Sequence, residues 1–159
     1  MAITRQKKEE VVASVRDHAK KSASIVFANF KRLTVNQQNE LRRALRAQDI
    51  GYTVAKKTLV RRAFDGMYTG EMPVLDGEVS IAYGADELAT AREMLVFVKK
   101  YPEQLAFAGG VFGGKYMSKE EIISIASIPG MDALRAQFLQ LINSPRQRFA
   151  MVVKAKAEK

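Results

Sequence analysis

At 159 residues with 47% hydrophobic content, the chain is long enough for one ordinary domain plus an appendage, which excludes disorder throughout. It has no cysteine and one histidine, His18, so disulfides, thiolate metal sites and histidine clusters are excluded, and no apolar run nears the roughly 20 residues needed to cross a bilayer. The net charge of +9 is segregated: residues 1–64 carry 15 Lys/Arg against 5 Asp/Glu, residues 65–145 carry 6 against 11, and residues 146–159 carry 5 against 1. A basic block beside an acidic middle points to a polyanion, nucleic acid first, bound by one part of the chain. Glu9, Glu10 and Asp17 argue against an acid-poor transit peptide, and a soluble cytoplasmic protein is expected.

In chain order, Thr4 is placed to cap a helix over 5–21, with Val11, Val12, Val15 and Ala19 on one face. SIVFANF (24–30) has the composition of a buried strand. Thr34 and Gln37 form a capping box opening a helix to about Gln48, whose inner face of Leu41, Ala44, Leu45 and Gln48 turns Arg42, Arg43 and Arg46 outward. IGYTVA (50–55) alternates as a strand with one filled face of Ile50, Tyr52 and Val54. Leu59, Val60, Ala63, Phe64 and Met67 then mark a helix that Thr58 is placed to cap.

EVSIAY (78–83) is a third strand, followed by a helix capped by Asp86 and ended by Pro102, and LAFAGGVFGG is a fourth strand running into glycines. This order is the split βαβ plan: an α+β, ferredoxin-like sandwich spanning about 22–116, an antiparallel sheet with two helices on one face and the first helix added. In that plan the two central strands are expected to run parallel to each other. Ser118 and Glu121 form a second capping box opening a helix to about Ile128. Leu134, Phe138, Leu141 and Ile142 stripe another. Ser144, Pro145 and Gln147 combine a cap, a first-turn proline and a third box, so the helix axis is expected to break there and a separate helix to start. The domains expected are an α+β domain over 1–128, a connecting helix or hinge over 129–144, and an amphipathic helix over 145–159.

That last helix carries Phe149, Val152 and Val153 on one side, and at about a dozen residues it is marginal alone in water. Its apolar stripe requires a cover: its own domain, a partner helix bundle, or an anionic membrane surface.

Enzyme templates fit poorly. Gly109, Gly114 and Lys115 have the spacing of a phosphate loop, but Tyr116 stands where Ser or Thr would hold magnesium, and the next helix starts only at Ser118. The glycines are therefore expected to form a bulged, flexible turn. Asp86, Glu87, Glu120 and Glu121 sit in first helical turns, where the helix dipole favours them. No catalytic residue, metal or cofactor is expected, and a binding protein fits better than an enzyme.

The basic candidates are Lys31 and Arg32 after the first strand, Lys56 and Lys57 after the second, Arg61 and Arg62 one turn on, and Arg5, Lys7 and Lys8 opening the first helix. Strands 24–30 and 50–55, joined by a crossover helix, should end at the same sheet edge, bringing two basic turns together over phosphates. Tyr52 and Phe64 sit at core spacing, which disfavours an aromatic RNA-recognition sheet and favours backbone and shape recognition of folded RNA.

LTVNQQNELRRALR, YTVAKKTLVRRAF, SIAYG, FAGGVFGGKYMSKEEI and SIPGMDALRAQFLQLINSP, in this order and spacing, resemble the bacterial ribosomal protein L10 family, the stalk-base proteins of the large subunit. The resemblance covers essentially the whole chain. It implies an amino-terminal domain on stalk-base 23S ribosomal RNA beside ribosomal protein L11. It also implies a terminal helix holding one or two dimers of ribosomal protein L7/L12, each on roughly ten residues, which recruit translational GTPases. The family's first basic turn has Arg-Gly where this chain has Lys31-Arg32; its basic-Asn-Thr pattern becomes Lys56-Lys57-Thr58; and its proline before the third strand becomes Glu78. A rival from another class is a stand-alone RNA-binding regulator with a self-packed final helix.

Overall fold

A strand that is apolar on both sides belongs in the interior of a sheet, between covered faces. Ser24–Phe30 is such a strand, its first five residues buried. The computed structural model describes residues 5–75 and 77–157, the side chain of Arg5 excepted; the Thr4 cap expected from sequence lies outside them. The elements are α1 (Arg5–Lys21), β1 (Ser24–Phe30), α2 (Val35–Ala47), β2 (Gly51–Ala55), α3 (Lys57–Phe64), β3 (Glu78–Gly84), α4 (Ala89–Lys100), β4 (Leu105–Phe112), β5 (Lys115–Met117), α5 (Lys119–Ala126) and α6 (Met131–Ala157). The chain divides into two compact units, Met1–Ile128 and Pro129–Lys159.

The first unit is α+β, with a five-stranded sheet in the order β2-β3-β1-β4-β5. Every pairing is antiparallel, which corrects the expected parallel central pair: β1 and β3 run in opposite directions. Two successive reversals, from β1 to β3 and from β3 to β2, leave β1 and β2 running the same way, so the shared edge survives the correction.

Alternate residues of the strands feed two cores. On one face Val26, Ala28, Ala82, Leu105 and Phe107 meet Leu41 and Leu45 of α2, Met94 and Phe97 of α4, and Ile122 of α5. On the other, Ile25, Phe27, Ile81 and Val111 meet Val15 and Ala19 of α1 and Val60, Ala63 and Phe64 of α3. The sheet is thus covered by helices on both sides, rather than on one side with α1 as an ornament. Phe27 and Phe64 meet edge to face at 5.2 Å, a contact worth about 1 kcal/mol beyond area burial.

Local signals behave as the chemistry dictates. The Thr34–Gln37 and Ser118–Glu121 capping boxes both close. The Asp86 carboxylate accepts from the N–H groups of Leu88 and Ala89 at the mouth of α4. Val54 is exposed whereas Ala55 is buried, because α3 covers the opposite face of β2. Gly113 and Gly114, both at positive φ, make a two-residue hairpin between β4 and β5. A register shift in the β1–β4 pairing, between Phe27 and Ala28, forms a bulge. The phosphate-loop lysine, Lys115, therefore opens a strand instead of preceding a helix.

The second unit is one helix, α6, with Pro145 inside it. No break occurs at Ser144, and the third capping box does not open a new helix. Proline within a helix removes one hydrogen bond and crowds the carbonyl four residues back, costing about 3 kcal/mol. The twenty-seven residues of α6 are rich in Ala, Leu, Gln, Arg and Met and sustain the helix across that point.

Gly110 lies where a Cβ would approach the carbonyl oxygen of Ile25 to 2.6 Å and the Ile122 side chain to 2.8 Å. Gly110→Ala is expected to lower unfolding free energy by about 2 kcal/mol, the usual cost of overpacking. A urea midpoint that does not move would contradict this packing.

Candidate nucleic-acid interface

The same-edge constraint sets the site. Phe30, the last residue of β1, pairs with Glu78, and Ala55, the last of β2, pairs with Val79. The chain leaves both strands at one edge, with β3 between them, so Lys31-Arg32 and Lys56-Lys57 emerge about 10 Å apart, two strand spacings. All four are exposed. The Lys31 N–H donates to the Gln104 carbonyl at 2.8 Å and ties this turn to the start of β4.

Arg32 has φ of 52°. It holds a left-handed backbone of the kind glycine adopts freely, at a cost of about 1 kcal/mol for an L-residue.

At the second turn the helix cap expected at Thr58 falls instead at Lys56, whose backbone is extended and whose side chain makes no cap bond. The positive end of the α3 dipole therefore opens between Lys56 and Lys57, an arrangement that favours an anion. Lys57, Thr58 and Arg61 line one side of α3 with the segment Met72–Leu75, around a pocket of about 320 Å³. Arg62 turns to the other side and shares with α1 a groove of mixed charge, lined by Lys8 and Lys20 but also by Glu9 and Asp17. Lys7 is exposed on α1 but does not line this groove, and the Arg5 side chain lies outside the described residues.

One positioning residue has a weak sequence signal. Arg16 donates through Nε to the Ala63 carbonyl at 3.0 Å and through Nη2 to the Arg62 carbonyl at 3.2 Å, holding the last turn of α3 against α1. A cation one residue from the buried Val15 is the hint. Tyr116, the residue that spoils the phosphate loop, donates its hydroxyl to the Phe64 carbonyl at 2.8 Å and secures the same helix end.

α6 presents a different surface. None of its residues is buried. Phe138, Leu141 and Ile142 are exposed, as are Phe149, Val152 and Val153. Each member of the second set stands eleven residues after its counterpart in the first. Eleven residues are close to three turns, so the two sets lie in line on one side, about 16 Å apart. Dividing the chain at Pro145 hides this repeat, and with it Phe138, Leu141 and Ile142 as candidates.

Fold and surface together define a basic α+β domain followed by a helix none of whose residues is buried. Residues 3–100 match the family described as Ribosomal protein L10. Over its full length the chain is 35% identical to large ribosomal subunit protein uL10 of Leptothrix cholodnii, covering 87% of that relative. It is 34% identical to the same protein of Albidiferax ferrireducens, again over the full chain and 89% of the relative. Against that of Gluconobacter oxydans it is 34% identical over 98% of the chain and 84% of the relative. The chain belongs to the ribosomal protein L10 family, structural and non-enzymatic proteins of the large ribosomal subunit. No helix among the described residues is long and apolar enough to cross a membrane.

Arg32→Gly is expected to stabilise the fold by about 1 kcal/mol by relieving the left-handed backbone. Thermal or urea unfolding reads this directly, and a loss of stability would show that the Arg32 side chain, rather than its φ, dominates the turn.

Proposed function

We propose that this chain is the stalk-base protein of its ribosome. Its amino-terminal unit grips folded 23S ribosomal RNA beside ribosomal protein L11, and α6 anchors dimers of ribosomal protein L7/L12, through which translational GTPases are recruited. The observation that carries the second half is the pair of exposed apolar triplets eleven residues apart on α6. Six large apolar side chains left in water along one side of a helix fit a groove between partner helices. Two triplets offer two seats, one dimer each, with Phe149, Val152 and Val153 forming the second. The RNA half is supported by the two basic turns at one sheet edge and the uncapped α3 start.

Lys56→Gln and Lys57→Gln are each expected to reduce the slope of log affinity against log salt for a stalk-base RNA fragment by about one unit. A slope equal to that of the unaltered chain would remove the residue from the interface. Phe138→Asp and Phe149→Asp are each expected to lower the mass of the complex with L7/L12 by one dimer in native mass spectrometry, and the pair together to abolish it. If Phe149→Asp instead lowers the melting temperature and the unaltered chain captures no dimer, the final helix is a self-packed element of a stand-alone RNA-binding regulator.

A further inference from the structure

The two basic turns account for only part of the positive charge in residues 1–64. Arg42, Arg43 and Arg46 lie on the outer side of α2, all exposed, and none has a carboxylate partner among the described residues. Their neighbour Glu40 is engaged across the molecule by Lys100 and Tyr101, so the arginines are left as a net cationic strip. They wall a groove of about 500 Å³ together with Gly51, Tyr52 and Tyr83, and no acidic residue lines it.

This groove is organised more firmly than a solvated helix face. The Arg42 guanidinium sits over the Tyr52 ring, 5.8 Å from its centre, a contact that restrains the side chain without using its charge-assisted donors. Burial pushes the Tyr52 phenol up in pKa, so this wall stays neutral. The Tyr83 ring stacks on His18 at 4.5 Å and occupies the space where Gly51 would carry a Cβ. With both rings already engaged, the groove offers guanidinium donors rather than open stacking platforms. The chemistry it fits is phosphate, which arginine can bind in bidentate fashion, rather than an unstacked base.

Its position gives the occupant. β2 is an edge strand. The arginine groove meets β2 at its start, at Gly51 and Tyr52, while Lys56 and Lys57 stand at its far end, about five strand residues or 17 Å away. Cations thus stand at both ends of one edge strand, with none along Thr53–Ala55 between them, a spacing matched to successive phosphates of a sugar-phosphate backbone that turns around that edge. An acidic peptide added as a strand to β2 would also meet the arginines, but it would leave the run of cations beyond Ala55 without a counterpart.

We propose that Arg42, Arg43 and Arg46 form a second phosphate-binding surface at the start of β2 for the backbone of the same folded RNA that the strand-end turns engage. This rests on the RNA-binding reading above and extends it to residues on a separate helix. It also accounts for three adjacent arginines on an exposed helix face where lysine or glutamine would serve solubility equally well.

The test uses the full chain and a stalk-base fragment of 23S RNA, titrated by fluorescence anisotropy from low to high KCl. Arg42→Gln/Arg46→Gln is expected to reduce the salt slope by about two units with an unchanged melting temperature. Arg43→Gln/Arg46→Gln, which leaves the Tyr52 contact intact, should do the same and serves if the first pair disturbs the fold. A slope unaltered in both pairs, while Lys56→Gln/Lys57→Gln lowers it, overturns this surface and leaves the RNA-binding reading standing. Wild-type chain that ignores the RNA at low salt sinks both. A polyglutamate peptide that binds the chain, and is lost with the arginines while the RNA slope is unchanged, reassigns the groove to strand addition and overturns the proposal as well.

Discussion

The structure depends on where β1 sits. Buried on both faces and paired antiparallel to β3 on one side and β4 on the other, it fixes the direction of every strand around it. Once β2 pairs with β3, β1 and β2 must point the same way, and the residues that follow each must share an edge. Both basic turns are therefore brought together by hydrogen bonding far from any charge. The electrostatics of the surface are inherited from the pairing of the core, and like charges that would separate in a free peptide are held near each other by the burial of Phe27, Phe64 and their neighbours.

That arrangement leaves local costs at the edge. Arg32 holds a left-handed backbone, α3 starts without a side-chain cap, and Glu78 stands between the two cationic turns. Such concessions collect where a surface is shaped for something other than folding. Elsewhere the same domain satisfies its helix ends carefully: two capping boxes close, Arg16 and Tyr116 take the last carbonyls of α3, and Asp86 serves the mouth of α4. The contrast lies within one small unit, so differing overall stability does not explain it.

Much of this is legible in the sequence because the signals are short-range. Thr34 with Gln37, and Ser118 with Glu121, are complete in four residues, and the apolar periodicity of α2 and α3 marks their buried sides, except that Gln48, placed on the inner face of α2, is exposed and follows the helix. Three features are not legible, the first because it depends on partners distant in the chain and the other two because a local signal points the wrong way. The second helical layer needs α1 to meet α3 through contacts such as Arg16 with Ala63, 47 residues apart. The β4–β5 hairpin is disguised because its two glycines imitate a phosphate loop, and only the pairing of Phe112 with Lys115 reveals a turn. At Pro145 the local rule for the residue before proline points to a break, while helix formers on both sides carry the chain through. Lys7, Lys8, Lys31, Arg32, Lys56, Lys57, Arg61 and Arg62 are exposed, yet the division of Arg61 and Arg62 between the two sides of α3 requires the fold.

The eleven-residue spacing on α6 has a consequence for how such a chain can diversify. Inserting eleven residues into the helix would add another apolar triplet rotated only about 20° from the last, whereas inserting nine would throw it to the opposite side. Copy number along α6 can thus grow or shrink by a fixed quantum of sequence, independently of the domain that precedes it. Lengths between those quanta would leave a patch facing away from the row, so helix phase filters the insertions that can be kept.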